Sequence, residues 1–238
     1  MAKANEKSKL NDKQKLLTSA HEDYVKAIYS LEARGVEVNN SALAAELNIS
    51  PASTTNMVKK LDELGLVTYT PYQSITLTES GQKVALEVLR HHRLIELYLH
   101  ERLNLPWEQI HEEAEKLEHV LSDALEDAMS AALGNPTIDP HGDPIPTKEG
   151  YIEPSVGISL TRAQPNHPYR LVRVLMQDAE RLSYLGSLGL YPGSQVMLLK
   201  QSPFAGPLII EVAGEHHALA HEMAEKLLVA EVNDATMN

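Results

Sequence analysis

The sequence predicts a mainly helical protein with a small amount of β-structure, built as three successive domains. Three patterns predict this class: three short helices followed by a β-hairpin, then two long amphipathic helices, then a strand-rich segment. The chain has 238 residues, which is enough for two or three small domains.

The composition excludes several kinds of functional site and several classes of protein. The chain has no cysteine, which excludes disulfides, thiolate zinc sites, iron–sulfur clusters and a cysteine nucleophile. It has no apolar run of roughly 18 residues and no secretory signal, so we expect a cytoplasmic protein that does not enter membranes. The net charge is −12, but residues 1–60 carry nine Lys/Arg against seven Asp/Glu, whereas residues 81–150 carry six against fourteen. A carboxylate-rich middle attracts hard cations.

The first region has the pattern of a winged helix-turn-helix domain at 16–80, preceded by a tail at 1–15. Ser19 and Glu22 form a capping box for the first helix, and Ser50 with Pro51 begins the third. Two strands joined by a turn complete the motif. The predicted elements are a helix from Ser19 to Gly35, helices at Ser41–Leu47 and Ser50–Leu64, strands at Val67–Tyr69 and Ile75–Leu77, and a turn at Pro71–Ser74.

Two long helices are predicted in a helical domain at 81–150, one from about Gly81 to Leu103 and one from about Trp107 to Leu133. Residues 134–168 are rich in proline and glycine, which predicts a long loop, with a linker at 151–168. Strand patterns at 169–232 predict a small β-barrel, followed by a tail at 233–238.

The second long helix contains His111, Glu115, Glu118 and His119, which would lie within an arc of roughly 100° on one continuous helix. The first long helix adds His92 and Glu96, one turn apart. An acidic helical face alone is usually a solvated face. Histidines on two consecutive helices beside a DNA-binding motif favour a metal site instead. Oxygen and nitrogen donors suit manganese or iron(II).

These motifs resemble those of the diphtheria toxin repressor family, and the manganese transport regulator branch most of all. The resemblance covers about residues 16–232. It is carried by HRLIE at 92–96, IHEEAEKLEHVLSDALE at 110–126, HEDYVKAIYSLE at 21–32 and PHGDPIP at 140–146, and LGLYPGSQV and HHALAHEMAEKLLV are similar to the C-terminal SH3-like domain of longer members. It implies a metal-dependent transcription regulator, not an enzyme, that binds double-stranded DNA with a palindromic operator as a homodimer and needs no organic cofactor.

The resemblance also implies roles for single residues. Asp23, Glu115, Glu118 and His119 match the primary metal site, and His92, Glu96 and His111 match the ancillary site. Asp178 is the aligned candidate for a ligand from the SH3-like domain. Lys26 stands where shorter manganese regulators have a second carboxylate, so two separate sites per subunit are expected. The DNA-facing positions of the third helix are Ser50, Ser53, Thr55, Asn56, Lys59 and Lys60.

Three alternatives remain open at this stage. An iron(II)-responsive regulator of the same family fits the same donor set. A winged-helix regulator that senses a small organic ligand would use the acidic helices as plain scaffold, and a DNA-binding module could hold a purely structural metal. A metalloenzyme is disfavoured, because no nucleophile and no HExxH motif accompanies the His/Glu stripes.

Overall fold

The computed structural model describes residues 17–70, 73–154 and 156–232, which form two compact units. Within these residues the first unit contains 17–91, Glu118–Val120 and Pro146–Ile152. The second contains His92–Leu117, Leu121–Ile145, 153–154 and 156–232. The predicted tails and residues 71–72 of the predicted turn lie outside the described residues.

The first unit has the order helix, helix, helix, hairpin, which confirms the predicted winged helix-turn-helix. Its elements are α1 (Ser19–Ala33), α2 (Asn40–Glu46), α3 (Pro51–Glu63), β1 (Val67–Thr68) and β2 (Thr76–Leu77). The strands pair antiparallel, with Val67 opposite Leu77. Fully buried Val25, Leu43 and Leu61, one from each helix, join the three helices in one apolar core. This core fixes the direction in which α1 and α3 present their polar faces.

The start of α1 differs from the prediction by one residue. The N-cap is Thr18 rather than Ser19, and its backbone N–H donates to Nδ1 of His21 at 3.1 Å. The predicted capping box of Ser19 with Glu22 is therefore wrong. The side chain of Glu22 is left for a different contact, with His119. At α3 the prediction is confirmed, because Ser50 is the N-cap and accepts from the backbone N–H of Ser53.

The predicted single helix from Trp107 to Leu133 is also wrong. A long helix α4 (Glu79–Leu103) is followed by α5 (Ile110–Leu117), one turn of 3₁₀-helix at Glu118–Val120, and α6 (Asp123–Ala132). Leu121 has extended backbone angles, and Ser122 caps α6 by accepting from the N–H of Leu125. An N-cap residue followed by acids is a helix-start signal that competes with continuous helical periodicity.

No helix in the described ranges is long and apolar enough to cross a bilayer.

The segment predicted as a loop is ordered between 137 and 145. Asp139, His141 and Asp143 are buried, and the N–H of Val174 donates to the carbonyl of His141 at 2.9 Å. Gly142 has φ +84, and a Cβ atom there would lie 2.0 Å from the carbonyl oxygen of Val172. Only glycine allows so close an approach, so this loop is packed tightly against a strand of the C-terminal sheet.

The C-terminal part of the second unit contains β3 (Ile158–Ser159), β4 (Pro168–Val174), α7 (Ala179–Ser187), β5 (Gln195–Gln201), β6 (Leu208–Val212), β7 (Glu215–Leu219), α8 (His221–Glu225) and β8 (Leu227–Glu231), with a 3₁₀ turn at Leu160–Arg162. The strands form one antiparallel six-stranded sheet in the order β3-β8-β4-β5-β6-β7. Helix α7 and strands β3 and β7 were not predicted. His216 and His217 lie on β7.

Candidate metal centres

Among the residues that the structure describes, three groups of side chains place potential metal ligands within 4.8 Å of one another. The α1 cluster is Asp23, Glu118 and His119. The imidazole cluster is His92, His111 and Glu115. The loop cluster is Glu96, Asp139 and His141. The first lies in the first unit, and the other two lie in the second.

The α1 cluster forms where the 3₁₀ turn meets the start of α1. His119 Nε2 lies 2.8 Å from Asp23 Oδ1 and 3.5 Å from Glu118 Oε1. The other ring nitrogen, Nδ1, lies 2.6 Å from Glu22 Oε2. A carboxylate that accepts from Nδ1–H fixes the tautomer and leaves the Nε2 lone pair facing the cluster, which is the arrangement of a metal-binding histidine. Glu22 thus occupies the position of a carboxylate that orients a ligating imidazole from its far side.

Glu118 is buried to 1% exposure, and its main chain is also held. His91 Nδ1 lies 3.2 Å from the carbonyl oxygen of Glu118. Burial raises the pKa of Asp23, and this effect outweighs the opposite effects of His119 and Lys26. Carboxylates brought together in a partly dry site favour a cation between them.

The imidazole cluster joins α4 to α5. His92 Nε2 lies 3.1 Å from His111 Nδ1, and Glu115 Oε1 lies 3.6 Å from His92 Nδ1. Glu96 Oε1 is within 3.2 Å of both imidazoles. The structure thus brings together His92, Glu96 and His111, the residues of the expected ancillary site. It groups Glu115 with them, and the expectation that Glu115 belongs with Asp23 stays a prediction.

The loop cluster was not predicted as a site. Its members Asp139 and His141 come from the segment expected to be a plain loop, and they meet the second carboxylate oxygen of Glu96. His141 Nδ1 lies 3.7 Å from Glu96 Oε2, while His141 Nε2 donates to the carbonyl of Trp107 at 3.1 Å. The available signal was an imidazole between two carboxylates at 139–143, a stretch that overlaps PHGDPIP at 140–146.

The loop cluster passes a simple test for a divalent cation. Glu96 Oε2, Asp139 Oδ2 and His141 Nδ1 are buried and have no hydrogen-bond partner, and all three are potential ligand atoms. Buried polar atoms are rarely left without a partner. Because Nε2 of His141 already donates, Nδ1 carries the lone pair of the neutral ring. The donor set therefore fits a cation that accepts oxygen and nitrogen ligands.

The pKa shifts of the carboxylates in the loop cluster also favour a bound cation. Burial, together with the charges of Glu96 and Asp143, raises the pKa of Asp139 well above its usual range. Burial also opposes ionisation of Glu96, but His92, His111 and His141 outweigh it and hold the pKa of Glu96 well below its usual range. Arg93 donates to Asp143 at 3.2 Å, and Arg173 of β4 also pairs with Asp143. These arginines hold the loop beside the cluster.

Asp178 caps α7, where it accepts from the N–H of Arg181 at 2.9 Å, and its side chain is exposed. It is not a member of the three clusters found among the described residues, so its role as a ligand stays a prediction.

The predicted DNA-facing residues lie on α3 or at its N-cap. Ser50, Ser53, Asn56 and Lys59 are exposed. Thr55 Oγ1 donates to the carbonyl of Pro51 and accepts from Asn40 Nδ2, both at 3.1 Å, so it holds α2 against α3. Lys60 is exposed and pairs with Glu63 at 3.3 Å. The side chain of Ser50 caps the helix by accepting from the N–H of Ser53, so its DNA-facing role stays a prediction.

Comparison with known proteins matches this organisation domain by domain. A family profile described as "Iron dependent repressor, N-terminal DNA binding domain" matches residues 16–75. One described as "Iron dependent repressor, metal binding and dimerisation domain" matches residues 78–147, and "FeoA domain" matches residues 158–231.

Curated relatives include the iron-dependent repressor IdeR of Mycobacterium tuberculosis, which is 32% identical over 231 residues, covering 91% of this chain and 99% of the relative. The diphtheria toxin repressor of Corynebacterium efficiens is 29% identical over 227 residues, covering 91% of this chain and 97% of the relative.

Solved structures include one described as a manganese-dependent transcriptional repressor in complex with manganese. It superposes with a TM-score of 0.82 at 32% identity, covering 89% of this chain and all of that chain. IdeR of T. acidophilum superposes with a TM-score of 0.72 at 27% identity, covering 88% and 98%. The chain therefore belongs to the diphtheria toxin repressor family of metal-dependent, DNA-binding transcriptional repressors, which are not enzymes.

Proposed function

We propose that this chain is a manganese-dependent repressor of metal-homeostasis genes, which binds a palindromic operator as a homodimer when its metal sites are filled. The observation that carries the choice of metal is the donor set. The three clusters consist entirely of carboxylates and imidazoles, without sulfur. Oxygen-rich sites with some imidazole suit manganese and iron(II) better than soft metals.

Iron(II) is the second candidate, and the comparisons give it specific support. The IdeR relatives are described as iron-dependent, whereas a solved structure at a similar identity is described as manganese-dependent. The harder donor set favours manganese. Selectivity between the two ions would come from geometry, because the raw affinities of such sites increase from manganese to iron(II).

We place one metal at the α1 cluster and a second at the group around Glu96, which serves both the imidazole and the loop clusters through its two oxygens. A bound divalent cation would supply two positive charges between carboxylates that otherwise repel each other. Asp23 holds α1, and Glu118 with His119 holds the 3₁₀ turn. Together they fix α1 of the DNA-binding unit, and with it α3, because both helices share one apolar core.

For DNA recognition we assign α3 to the major groove. Asn56 is suited to reading an adenine, and Ser50, Ser53 and Lys59 are suited to phosphate contacts. For homodimer formation we assign the exposed apolar side chains of α5 and α6, such as Leu117 and Leu125, because a repressor dimer on a palindrome must bury a shared surface.

The test is operator binding by purified protein stripped with a chelator, measured by fluorescence anisotropy on DNA from its own upstream region. Manganese, iron(II) under anaerobic conditions, zinc and magnesium are titrated in parallel. We expect affinity to rise steeply with manganese and to fall when chelator is restored. A steeper response to iron(II) would make iron the regulating metal, and indifference to every metal would overturn the proposal.

A further inference from the structure

A lysine ammonium group already binds the α1 cluster. Lys26 lies on α1, one turn after Asp23, and its Nζ donates to Glu118 Oε1 at 2.5 Å. The pair is shielded from solvent, with 14% of the Lys26 side chain and none of the Glu118 side chain exposed. Charge-assisted hydrogen bonds of this length in a shielded site are among the stronger polar contacts in proteins.

The ammonium contacts the oxygen that faces the other ligands. Glu118 Oε1 is the atom 3.5 Å from His119 Nε2, and the same nitrogen lies 2.8 Å from Asp23 Oδ1. A cation held by these three side chains must therefore share or take over the oxygen that Lys26 uses. Two positive charges at one carboxylate oxygen repel each other strongly where water is scarce.

The charges around the cluster limit the number of divalent cations that it can bind. Three carboxylates face His119 or Lys26, namely those of Glu22, Asp23 and Glu118. With Lys26 protonated and His119 neutral, these groups sum to two negative charges. One divalent cation balances them, and a second would leave a net positive, partly buried site.

We propose that Lys26 determines the stoichiometry and strength of metal binding at the α1 cluster, acting as a built-in competitor that lowers affinity and limits the cluster to one divalent ion. The proposal rests on the proposed metal binding by this cluster. Weak binding of this kind is useful in a sensor, because the response must fall within the concentration range of free metal in the cell.

The primary variant is Lys26→Met, which keeps the length of the side chain and removes its charge. We expect manganese to bind the α1 cluster roughly ten- to hundredfold more tightly, since a charge a few ångströms from the ion is removed. We also expect the metal-free protein to melt at a lower temperature, because Glu118 loses its buried partner. The measurements are isothermal titration calorimetry with manganese and circular dichroism melting in chelator.

Two further variants guard against a folding defect. Lys26→Gln is neutral but keeps an N–H donor for Glu118, and it should also bind manganese more tightly. Lys26→Arg keeps the charge and should bind manganese about as the wild type does. Lys83→Met is the matched control: Lys83 forms a 2.8 Å pair with Glu79 on the exposed side of α4, so its loss should leave manganese affinity unchanged.

The variant Asp23→Ala distinguishes a failure of the proposed metal site from a failure of the proposed role of Lys26. If Asp23→Ala removes no bound manganese, the cluster is not a metal site and the proposed function fails at this position. If it removes one ion but Lys26→Met and Lys26→Gln bind no more tightly than the wild type, the role of Lys26 is overturned while the metal site stands. In the double variant Lys26→Met, Asp23→Ala, the gain in affinity should vanish.

Discussion

The α1 cluster and the loop cluster use the same ligand chemistry in opposite surroundings. Asp23 has 38% of its side chain exposed, and Glu118 is paired with Lys26. In the loop cluster Glu96, Asp139 and His141 are all buried, and each has one polar atom without a hydrogen-bond partner. The first cluster therefore already contains a cationic side chain, whereas the second leaves three buried ligand atoms without a hydrogen-bond partner.

This difference indicates different roles for the two clusters. A cluster that is partly open and already holds a positively charged side chain can gain and lose a metal with little structural change, which suits sensing. In the buried cluster, burial and the charges of Glu96 and Asp143 raise the pKa of Asp139, so we expect this cluster to depend on a bound ion for stability. We expect substitutions in the α1 cluster to change regulation and those in the loop cluster to change the stability of the second unit.

The largest expected effect is that of Gly142→Ala, which would separate the loop from β4. The added Cβ would lie 2.0 Å from the carbonyl oxygen of Val172, at a residue with φ +84. We expect a loss of about 4 kcal/mol in the free energy of unfolding, measured by urea denaturation.

Gly214→Ala is the matched control for this change. Gly214 has φ +82 in the same unit but has nothing within 4 Å of the added Cβ. It should cost only about 1 kcal/mol. Equal losses in the two variants would show that backbone strain alone, and not the packing of the loop on β4, explains the effect.

Asp23→Ala should abolish metal-stimulated operator binding without unfolding the protein. Asp23 is partly exposed and contacts His119 from α1. We expect a loss of about a hundredfold in affinity at saturating manganese, within the usual range of allosteric coupling, with an unchanged melting temperature in chelator. Glu37→Ala, at an exposed carboxylate outside the clusters, is the control. Undiminished stimulation in Asp23→Ala would contradict the role of this cluster.

Glu22→Gln should weaken manganese binding at the α1 cluster by about tenfold. The amide can still accept from His119 Nδ1, but it no longer carries the charge that makes the imidazole a better ligand. Calorimetry measures the change, and the stoichiometry should stay the same. If affinity were unaltered, Glu22 would be a packing contact rather than a support for His119.

The smallest expected effect is that of Asp139→Asn on stability in chelator. Removing one of three nearby buried carboxylates should raise the free energy of unfolding by about 1 kcal/mol. The same change should reduce the stabilisation that added manganese gives, because one ligand is lost. The melting temperatures of the variant and the wild type, measured in chelator and again with added manganese, test both parts. If manganese raised both melting temperatures equally, Asp139 would not be a ligand of the metal site.

Local patterns made most of the helices predictable. The apolar spacing in α1, α3 and α4, and the Ser50–Pro51 start of α3, are properties of short stretches of sequence, and the structure has these helices where they were expected. The break at 118–122 was missed because the apolar periodicity runs through it. The local N-cap at Ser122 prevails over that periodicity.

The clusters were predictable only in part, because local patterns show which residues share a helix face but not which distant segments pack together. The spacing of His92 and Glu96 predicted that they share one face of α4. His111 meets them because α5 follows α4 in the chain. Asp139 and His141 join Glu96 only because the loop docks on β4 and the carbonyl of Trp107 orients the imidazole. Such contacts depend on tertiary packing at Gly142, which no periodicity encodes.

The position of Trp107 has a practical consequence. It is the chain's single tryptophan, and its ring lies 5.5 Å from the ring of His141 and 4.9 Å from that of Tyr191, inside the core of the C-terminal sheet. Its fluorescence therefore comes from one defined place, where the loop, α7 and the sheet meet. The emission of unlabelled protein can report in real time whether that junction is closed, independently of events at the DNA-binding helices.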